Sequence, residues 1–457
     1  MKKYVPFVII MIILEMILYL PLLSSFFDPQ EFISLLNPLN SGMSFSDYMI
    51  ESWSWIQGQQ RIGFFRPVVS LMFMAEFPLW GANPAGYRAM NLVLHLCVAL
   101  SVIPLARRIG IRKYWWLPST LVLIHPGALD AVWLIVARHD VLAVFFSIAA
   151  LIGTFDLIRG KLKGLQGVLP WVATLFAIGS KELGMANLLA LPLLVILWPK
   201  ESPDRKALLY FWFSIPLVLL LFLGSRLMVF GNIGGYGQYT PLSEIPVRIY
   251  FMLIQSTGFF FMQNVFMRII LASVVVLMAL ALVSTWKRQW QKILTLSGLF
   301  LIYGFQSIIS QSCMHYIYVI MVFFSMTAGL AVETGSYMSS GKDLRRILLC
   351  GFLMVMLFMA SLNWSSTLRY MNSAKQEVFE AVSAQAEVLA AKDSVAVVLY
   401  DRSIPRVDEL KNIERYLDFL KPGNNVNFRY VEDESDVSAG ETRIIWRDDN
   451  LVIGSLP

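Results

Sequence analysis

Apolar stretches long enough to enter a bilayer recur along almost the whole chain, separated by short polar blocks. They fall at about 5–25, 88–105, 114–126, 141–158, 167–180, 184–198, 207–228, 268–285, 293–310, 316–333 and 347–363. A helix needs about 20 mostly apolar residues to span the hydrocarbon core, so this pattern predicts a polytopic α-helical membrane protein with about 11 spans. The shorter runs are expected to tilt or to lie among other helices. The first run follows Met1-Lys2-Lys3, is long and lacks an Ala-x-Ala site, so it reads as an uncleaved span rather than a signal peptide. Residues 247–265 are apolar and aromatic, but counting them as a span would reverse the later charge pattern. They are expected to form an interfacial or re-entrant helix on the outer side.

After about residue 363 the pattern changes. Runs such as Ser394–Tyr400 and Thr442–Trp446 alternate in the manner of strands, with a helix-like stretch at Val407–Leu420 between them. The expected organisation is a transmembrane domain over 1–363, with a long first loop at about 26–87, and a small soluble α/β domain over 364–457. The C-terminal part carries 11 basic and 16 acidic residues, whereas the whole chain has net charge +6.

Composition agrees with the pattern. Of 457 residues, 57% are hydrophobic and 15% charged, against about 25% charged in soluble domains, and the mean hydropathy is +0.62. The basic residues sit in short blocks between apolar runs, which argues against nucleic-acid binding. Those blocks are Lys2/Lys3, Arg107–Lys113, Arg159–Lys163, Lys200–Lys206, Lys287–Lys292 and Lys342–Arg346. Placing them all in the cytoplasm is self-consistent. It puts the first loop, the His125–Asp140 segment, the 229–247 loop and the C-terminal domain outside. Cys97, Cys313 and Cys350 have neither metal nor redox spacing. No P-loop, GxGxxG or zinc motif is present, and the Gly231–Gly237 run follows no strand, so it is read as a flexible loop.

The chemistry-bearing residues then collect on the outward side. They are Asp28 and Glu31 after the first span, His125, Asp130, Arg138, His139 and Asp140 in the second outward segment, Ser180-Lys181-Glu182, Arg226, Arg248 and His315-Tyr316. Ionisable groups at a membrane boundary are costly unless paired or used. A carboxylate beside an acceptor hydroxyl can act as a general base, and Arg, Lys or His can stabilise a phosphate leaving group. Each residue also has a plainer reading. Asp28 could be a solvated loop carboxylate, Lys181-Glu182 an interfacial ion pair, and Arg138/Asp140 a helix-capping bridge. His95 reads as a packed, hydrogen-bonded histidine and Glu15 as a polar contact between helices.

Several blocks in order resemble the GT-C class of membrane glycosyltransferases, in particular the TPR-containing O-mannosyltransferases and their bacterial relatives. Phe27-Asp28 with Asn37-Pro38 resembles the acidic first-loop motif, and Arg66-Pro67-Val68 resembles Arg-Pro-Leu. Gly81-Ala82-Asn83-Pro84-Ala85-Gly86-Tyr87 with Asn91 and His95 resembles Gly-x-Asn-Pro-x-Gly-Tyr-x-x-x-Asn-x-x-x-His. His125-Pro126, Asp130-Ala131-Val132 and Arg138-x-Asp140 resemble His-Pro-x-x-x-Glu-Ala-Val and Gly-Arg-x-Asp, and Ser180-Lys181-Glu182 resembles Ser-Lys-Glu. The match covers residues 20–200 well and 240–330 weakly. The chain departs from the pattern where Pro29 follows Asp28, where Asp130 replaces Glu, and where His315-Tyr316 replaces Arg-Tyr. The TPR repeats are absent.

The resemblance implies sugar transfer from a polyprenyl-phosphate-linked donor to an acceptor hydroxyl, at the outer face of a bacterial inner membrane, with inversion. It implies Asp28 as general base, alone or shared with Glu31, and Asp130 orienting the acceptor or a divalent cation, with no metal ligand set assigned. Arg66, His125, Arg138, His139, Lys181, Arg248, His315 and Tyr316 are the substrate-binding candidates, with Glu182 and Asp140 holding the cations. Expected partners are the donor lipid, the bilayer and a protein, glycan or glycolipid acceptor. Two alternatives stand beside this one. The first is a transferase of the same class that modifies a glycolipid, O-antigen or lipid A. The second is a polyprenyl-glycan transporter or a non-catalytic assembly partner. A transporter is disfavoured because the charges cluster at one face and no repeat is visible.

Overall fold

A computed structural model describes the chain except for residues 1–4, 24, 29–30, 41, 52–53, 58–59, 199–202, 232–240, 263, 310–316, 335–342, 393, 400–409, 422–425, 433, 438–441, 448–449 and 456–457. The main helices are α1 Val5–Tyr19, α2 Pro67–Trp80, α3 Pro84–Ile109, α4 Trp116–Ile124, α5 Pro126–Trp133, α6 Arg138–Ile158, α7 Leu169–Ser180 and α8 Asn187–Leu197. They continue as α9 Arg205–Phe230, α10 Ile245–Ser256, α11 Val265–Ser284, α12 Trp286–Ile309, α13 Ile317–Thr334, α14 Asp343–Ala384 and α15 Ile413–Leu420. Among the described residues, seven helical segments are long and apolar enough to cross a membrane. The chain is an integral membrane protein of mainly helical structure with a small C-terminal sheet.

The helix faces are arranged for lipid rather than water. In α1 the buried side chains are Met11, Glu15, Leu18 and Tyr19, a stripe at helical spacing that includes both polar residues. Ile9, Ile10, Ile13 and Ile17 face outward. A soluble helix would show the reverse. Helix α13 is buried on nearly every side and packs against α4, α11 and α12, which makes it a central post of the helical unit.

The expected spans at 114–126, 167–180 and 184–198 are represented by shorter helices. Helix α4 has nine residues, with its side chains buried, and is followed at once by α5. The 12 residues of α10 reach about 18 Å, well short of the ~30 Å core. Helix α14 runs on past residue 363 to Ala384, because Ala374, Val378 and Val382 continue a buried stripe at four-residue spacing.

The chain forms two compact units. The first comprises residues 1–20, 53–72 and 88–365, and includes the antiparallel hairpin β1 Ser54–Gln57 and β2 Gln60–Gly63. The second comprises residues 21–52, 73–87 and 366–457. Its sheet has the order β4-β3-β5-β6, from strands β3 Ser394–Val398, β4 Asn427–Val431, β5 Thr442–Arg447 and β6 Asn450–Ser455. Central β3 pairs parallel with β4 and β5, while β5 and β6 form an antiparallel hairpin. Val395 through Val398 are all buried, as expected of a strand covered on both faces. Phe26, Phe32, Phe379 and Tyr416 gather within this unit, with Phe26 and Phe379 rings 4.7 Å apart and Phe32 and Tyr416 rings 5.2 Å apart. The cluster ties the first-loop residues 26–32 to α14 and α15.

Close backbone approach fixes one junction in the first unit. A Cβ on Gly167 would lie 2.0 Å from the carbonyl oxygen of Ala207 in α9. Gly167→Ala is therefore expected to lower stability by about 1–3 kcal/mol, the cost of overpacking, and to depress the melting temperature of the purified protein. Gly224→Ala, which meets nothing within 4 Å, should leave the melting temperature unchanged or raise it.

Candidate active site

The site in the first unit is built on breaks between short buried helices. Helix α4 ends where His125 turns extended, and Pro126 opens α5 with the φ a helix start requires. His125 is fully buried. Its Nδ1 accepts from the Gly127 N–H at 3.0 Å, and its Nε2 lies 3.0 Å from the Ser256 carbonyl oxygen. With Nδ1 accepting, Nε2 carries the proton, so the ring joins the α4–α5 break to the end of α10.

The second break, between α5 and α6, exposes three backbone carbonyls, and α3 satisfies them. Asn91 donates from Nδ2 to the Val132 oxygen at 3.0 Å and the Leu134 oxygen at 3.4 Å. Arg88 donates from Nε to the Trp133 oxygen at 3.1 Å, with its guanidinium over the Trp133 ring. The Asn91 Oδ1 accepts from Arg138 Nε at 2.7 Å. One buried amide thus holds the turn and orients the first cation of α6.

The charges converge there. Lys181 sits in an extended residue after α7, and its Nζ donates to Asp140 Oδ1 at 2.5 Å with both side chains buried. His139 Nε2 lies 3.1 Å from Asp140 Oδ2, and its Nδ1 meets the Val136 carbonyl. Arg66, which follows the β1–β2 hairpin, donates to Glu182 at 3.3 Å and stacks on Phe64. Arg226 in α9 donates to the Gly63 oxygen at 3.1 Å and interacts electrostatically with Glu182. A Cβ at Gly184 would lie 2.4 Å from the Ile178 backbone nitrogen, so the Lys181–Gly184 turn folds tightly back on α7. Burial pushes the Lys181 ammonium down to about 8, with Arg66 acting in the same sense and Asp140 opposing it.

Four of the remaining candidates have described contacts of their own. Asp130 accepts from the Trp364 indole N–H at 3.0 Å. Arg248 bridges Glu244 one turn away on α10 at 3.1 Å. His315 and Tyr316 are outside the described residues. In the second unit Lys375 Nζ donates to Asp28 Oδ2 at 2.6 Å. Glu31 is fully buried. Its carboxylate accepts the Asp28 N–H at 2.8 Å while its own N–H returns to the Asp28 oxygen at 2.8 Å. That is the return half of a capping box. Sequence reasoning misses Lys375, Trp364 and Arg88 as partners. Asn91 carries a signal, its place in the motif before His95. Among the described residues no three His, Cys, Asp or Glu side chains gather as a metal site would require.

No family model matches the chain, and no curated protein matches it in sequence. Its fold, however, is that of solved membrane glycosyltransferase structures. ArnT from Cupriavidus metallidurans in the apo state is 12% identical, with 99% of this chain and 98% of that chain covered and a TM-score of 0.57. The same protein bound to undecaprenyl phosphate gives 12% identity, coverage of 98% and 97%, and a TM-score of 0.55. The Archaeoglobus fulgidus oligosaccharyltransferase, tethered with an acceptor peptide containing the NVT sequon, is 10% identical over 93% of this chain and 64% of that one, with a TM-score of 0.51. The GT-C resemblance drawn from the motifs is thus matched at the level of the fold.

A pH dependence follows from Lys181. A phosphate held by this ammonium should be released as pH rises through about 8. The unfolded lysine titrates near 10.5, so between these values the unfolded chain holds more protons and fold stability rises while phosphate affinity falls. Binding of a phosphate ligand measured from pH 6 to 10 should show the falling limb near 8, and Asp140→Asn, which removes the opposing carboxylate, should move that limb lower.

Proposed function

We propose that the chain is a GT-C-type glycosyltransferase that moves a sugar from a polyprenyl-phosphate-linked donor to an acceptor hydroxyl at the outer face of a bacterial inner membrane. The observation that carries this reading is the set of buried cations Arg66, Lys181 and Arg226 about Asp140 and Glu182, in a chain with the fold of a protein solved with undecaprenyl phosphate bound. Buried cations of this kind can stabilise the charge of a phosphate leaving group. Low surrounding polarity strengthens that attraction.

In this reading the motif residues take their implied roles. The Asp28 carboxylate removes the acceptor hydroxyl proton as the oxygen attacks the anomeric carbon. The bond from that carbon to the phosphate oxygen breaks, the configuration inverts, and polyprenyl phosphate departs with the cations holding its charge. Glu31 positions Asp28 through the backbone contact, and Asp140 and Glu182 hold Lys181 and Arg66. Asp130 orients the acceptor.

The test is transfer by purified protein in nanodiscs, with a panel of polyprenyl-phosphate sugars and with protein, glycan and glycolipid acceptors. Asp28→Asn is expected to lower turnover by roughly 10²–10⁴-fold, the worth of a general base, with donor binding and melting temperature retained. Near-normal turnover in a folded Asp28→Asn protein would remove the base assignment. Failure of every donor to bind the wild-type protein would remove the donor class.

A further inference from the structure

The end of the first unit away from the Asp140–Lys181 cluster carries cations that sugar transfer does not use. Helix α6 starts beside Asp140 and reaches Asp156 about 24 Å further along its axis. There Asp156 accepts from both Nε and Nη2 of Arg108, in the last turn of α3. Just past that turn the chain leaves α3 through Gly110, at φ +102°, and passes Arg112 on its way to α4. Glu333, near the end of α13, accepts from the Lys113 and Tyr114 backbone N–H groups and so fixes this loop.

Helix α12 brings its own cations to the same loop. Trp286, Trp290, Leu294, Leu301 and Phe305 are exposed along one face, the face a helix turns to lipid. The two tryptophans set its first turns at the headgroup level. Leu296, Leu299 and Tyr303 are buried on another face, and Arg288 and Lys292 continue that protein-facing stripe at four-residue spacing toward the rim. Lys292 is half-buried, and a Cβ on Gly110 would lie 2.7 Å from its Nζ.

This ammonium could serve to cap the negative end of α3. Capping of that kind calls for a hydrogen bond to a terminal carbonyl, and the Ala106 and Arg107 carbonyls are bonded instead to the Gly110 and Ile111 N–H groups. Among the described residues Arg112, Arg288 and Lys292 make no side-chain hydrogen bond and no ion pair. Burial pushes the Lys292 ammonium down from its ordinary value, Arg112 acts in the same sense, and Glu333 opposes them. Two like charges are therefore held within electrostatic reach of each other, with their donors available.

We propose that Arg112, Arg288 and Lys292 form a site for a net-anionic phosphate group at the headgroup level of the membrane, carried by a phospholipid or free in solution. A phosphate there relieves the repulsion between Arg112 and Lys292, gives the ammonium an acceptor and matches its oxygens to the guanidinium forks. The site is at the other end of α6 from the Asp140–Lys181 cluster and does not depend on the sugar-transfer reading.

The experiment titrates the full chain in detergent by calorimetry. The probes are dioctanoyl phosphatidic acid, inorganic phosphate at constant ionic strength, and dioctanoyl phosphatidylcholine. Phosphatidic acid is expected to bind, and phosphatidylcholine, whose choline offsets its phosphate, to bind far more weakly. Arg112→Gln and Lys292→Gln should each raise the Kd for phosphatidic acid about fivefold, the worth of one basic side chain at an anionic surface. Arg205→Gln, which removes a charge from another basic block, should leave it unchanged. Without ligand, Lys292→Gln should not lower the melting temperature, because it removes a half-buried charge that has no acceptor. Binding of inorganic phosphate as well assigns the site to the phosphate group alone, and binding of phosphatidic acid only assigns it to a lipid headgroup. Binding of neither anion, equal affinity for phosphatidylcholine, or an equal loss in Arg205→Gln would overturn the proposal. So would phosphatidic acid binding that persists in the Arg112→Gln/Lys292→Gln protein and falls in Lys181→Gln, which would place the phosphate at the Asp140–Lys181 cluster.

Discussion

Moving a carboxylate and an ammonium out of water costs several kcal/mol each even after the protein relaxes. Asp140 and Lys181, both buried, offset that cost with a 2.5 Å contact. The arrangement of the first unit follows from keeping them together. Asp140 must lie in the first turn of α6, so the α5–α6 turn must be held. Lys181 must point back from the end of α7, so the chain must leave that helix in extended conformation and fold tightly at Gly184. The pair sits among other charged and polar groups, with His139 Nε2 3.1 Å from the second Asp140 oxygen and the Arg66–Glu182 bridge beside it.

Breaking helices inside an apolar unit raises a second demand. Every interrupted turn exposes backbone groups that no lipid can satisfy, and here side chains from other helices satisfy them. At the α4–α5 break Ser361 of α14 donates to the Ile124 carbonyl, and Asn91 and Arg88 serve the three carbonyls of the α5–α6 break. The same polar side chains that repair the backbone also orient Arg138. Helix breaks and chemistry are therefore one construction, and short buried helices such as α4 and α5 are its cost.

The second unit holds its acidic segment by different means. Phe26 and Phe32 anchor residues 26–32 among Phe379 and Tyr416, and Glu31 turns inward to hold the Asp28 backbone. The Asp28 carboxylate, partly exposed, meets Lys375. Aromatic packing fixes the backbone there, and the ion pair fixes the side chain.

Much of the architecture was legible from pattern alone, because bilayer thickness sets a length of apolar sequence. The long spans, the strands at Ser394 and Thr442 and the gathering of charge at His125–Asp140 and Ser180–Glu182 all follow from that length and from period. The short helices α4, α7 and α8 blurred the span count, since an apolar run does not reveal whether lipid or protein surrounds it. Residue type announced that Asp28, Asp130, Arg66 and Lys181 needed partners, but it did not name them. Lys375 is 347 residues from Asp28 and Trp364 is 234 from Asp130. Glu31 announced itself by type as an acid, but its burial and its bond to the Asp28 N–H were not legible in the sequence. Apolar length and charge are local properties, so the chain determined them by itself. Which buried charge meets which depends on how distant helices pack, and only the tertiary structure decided it.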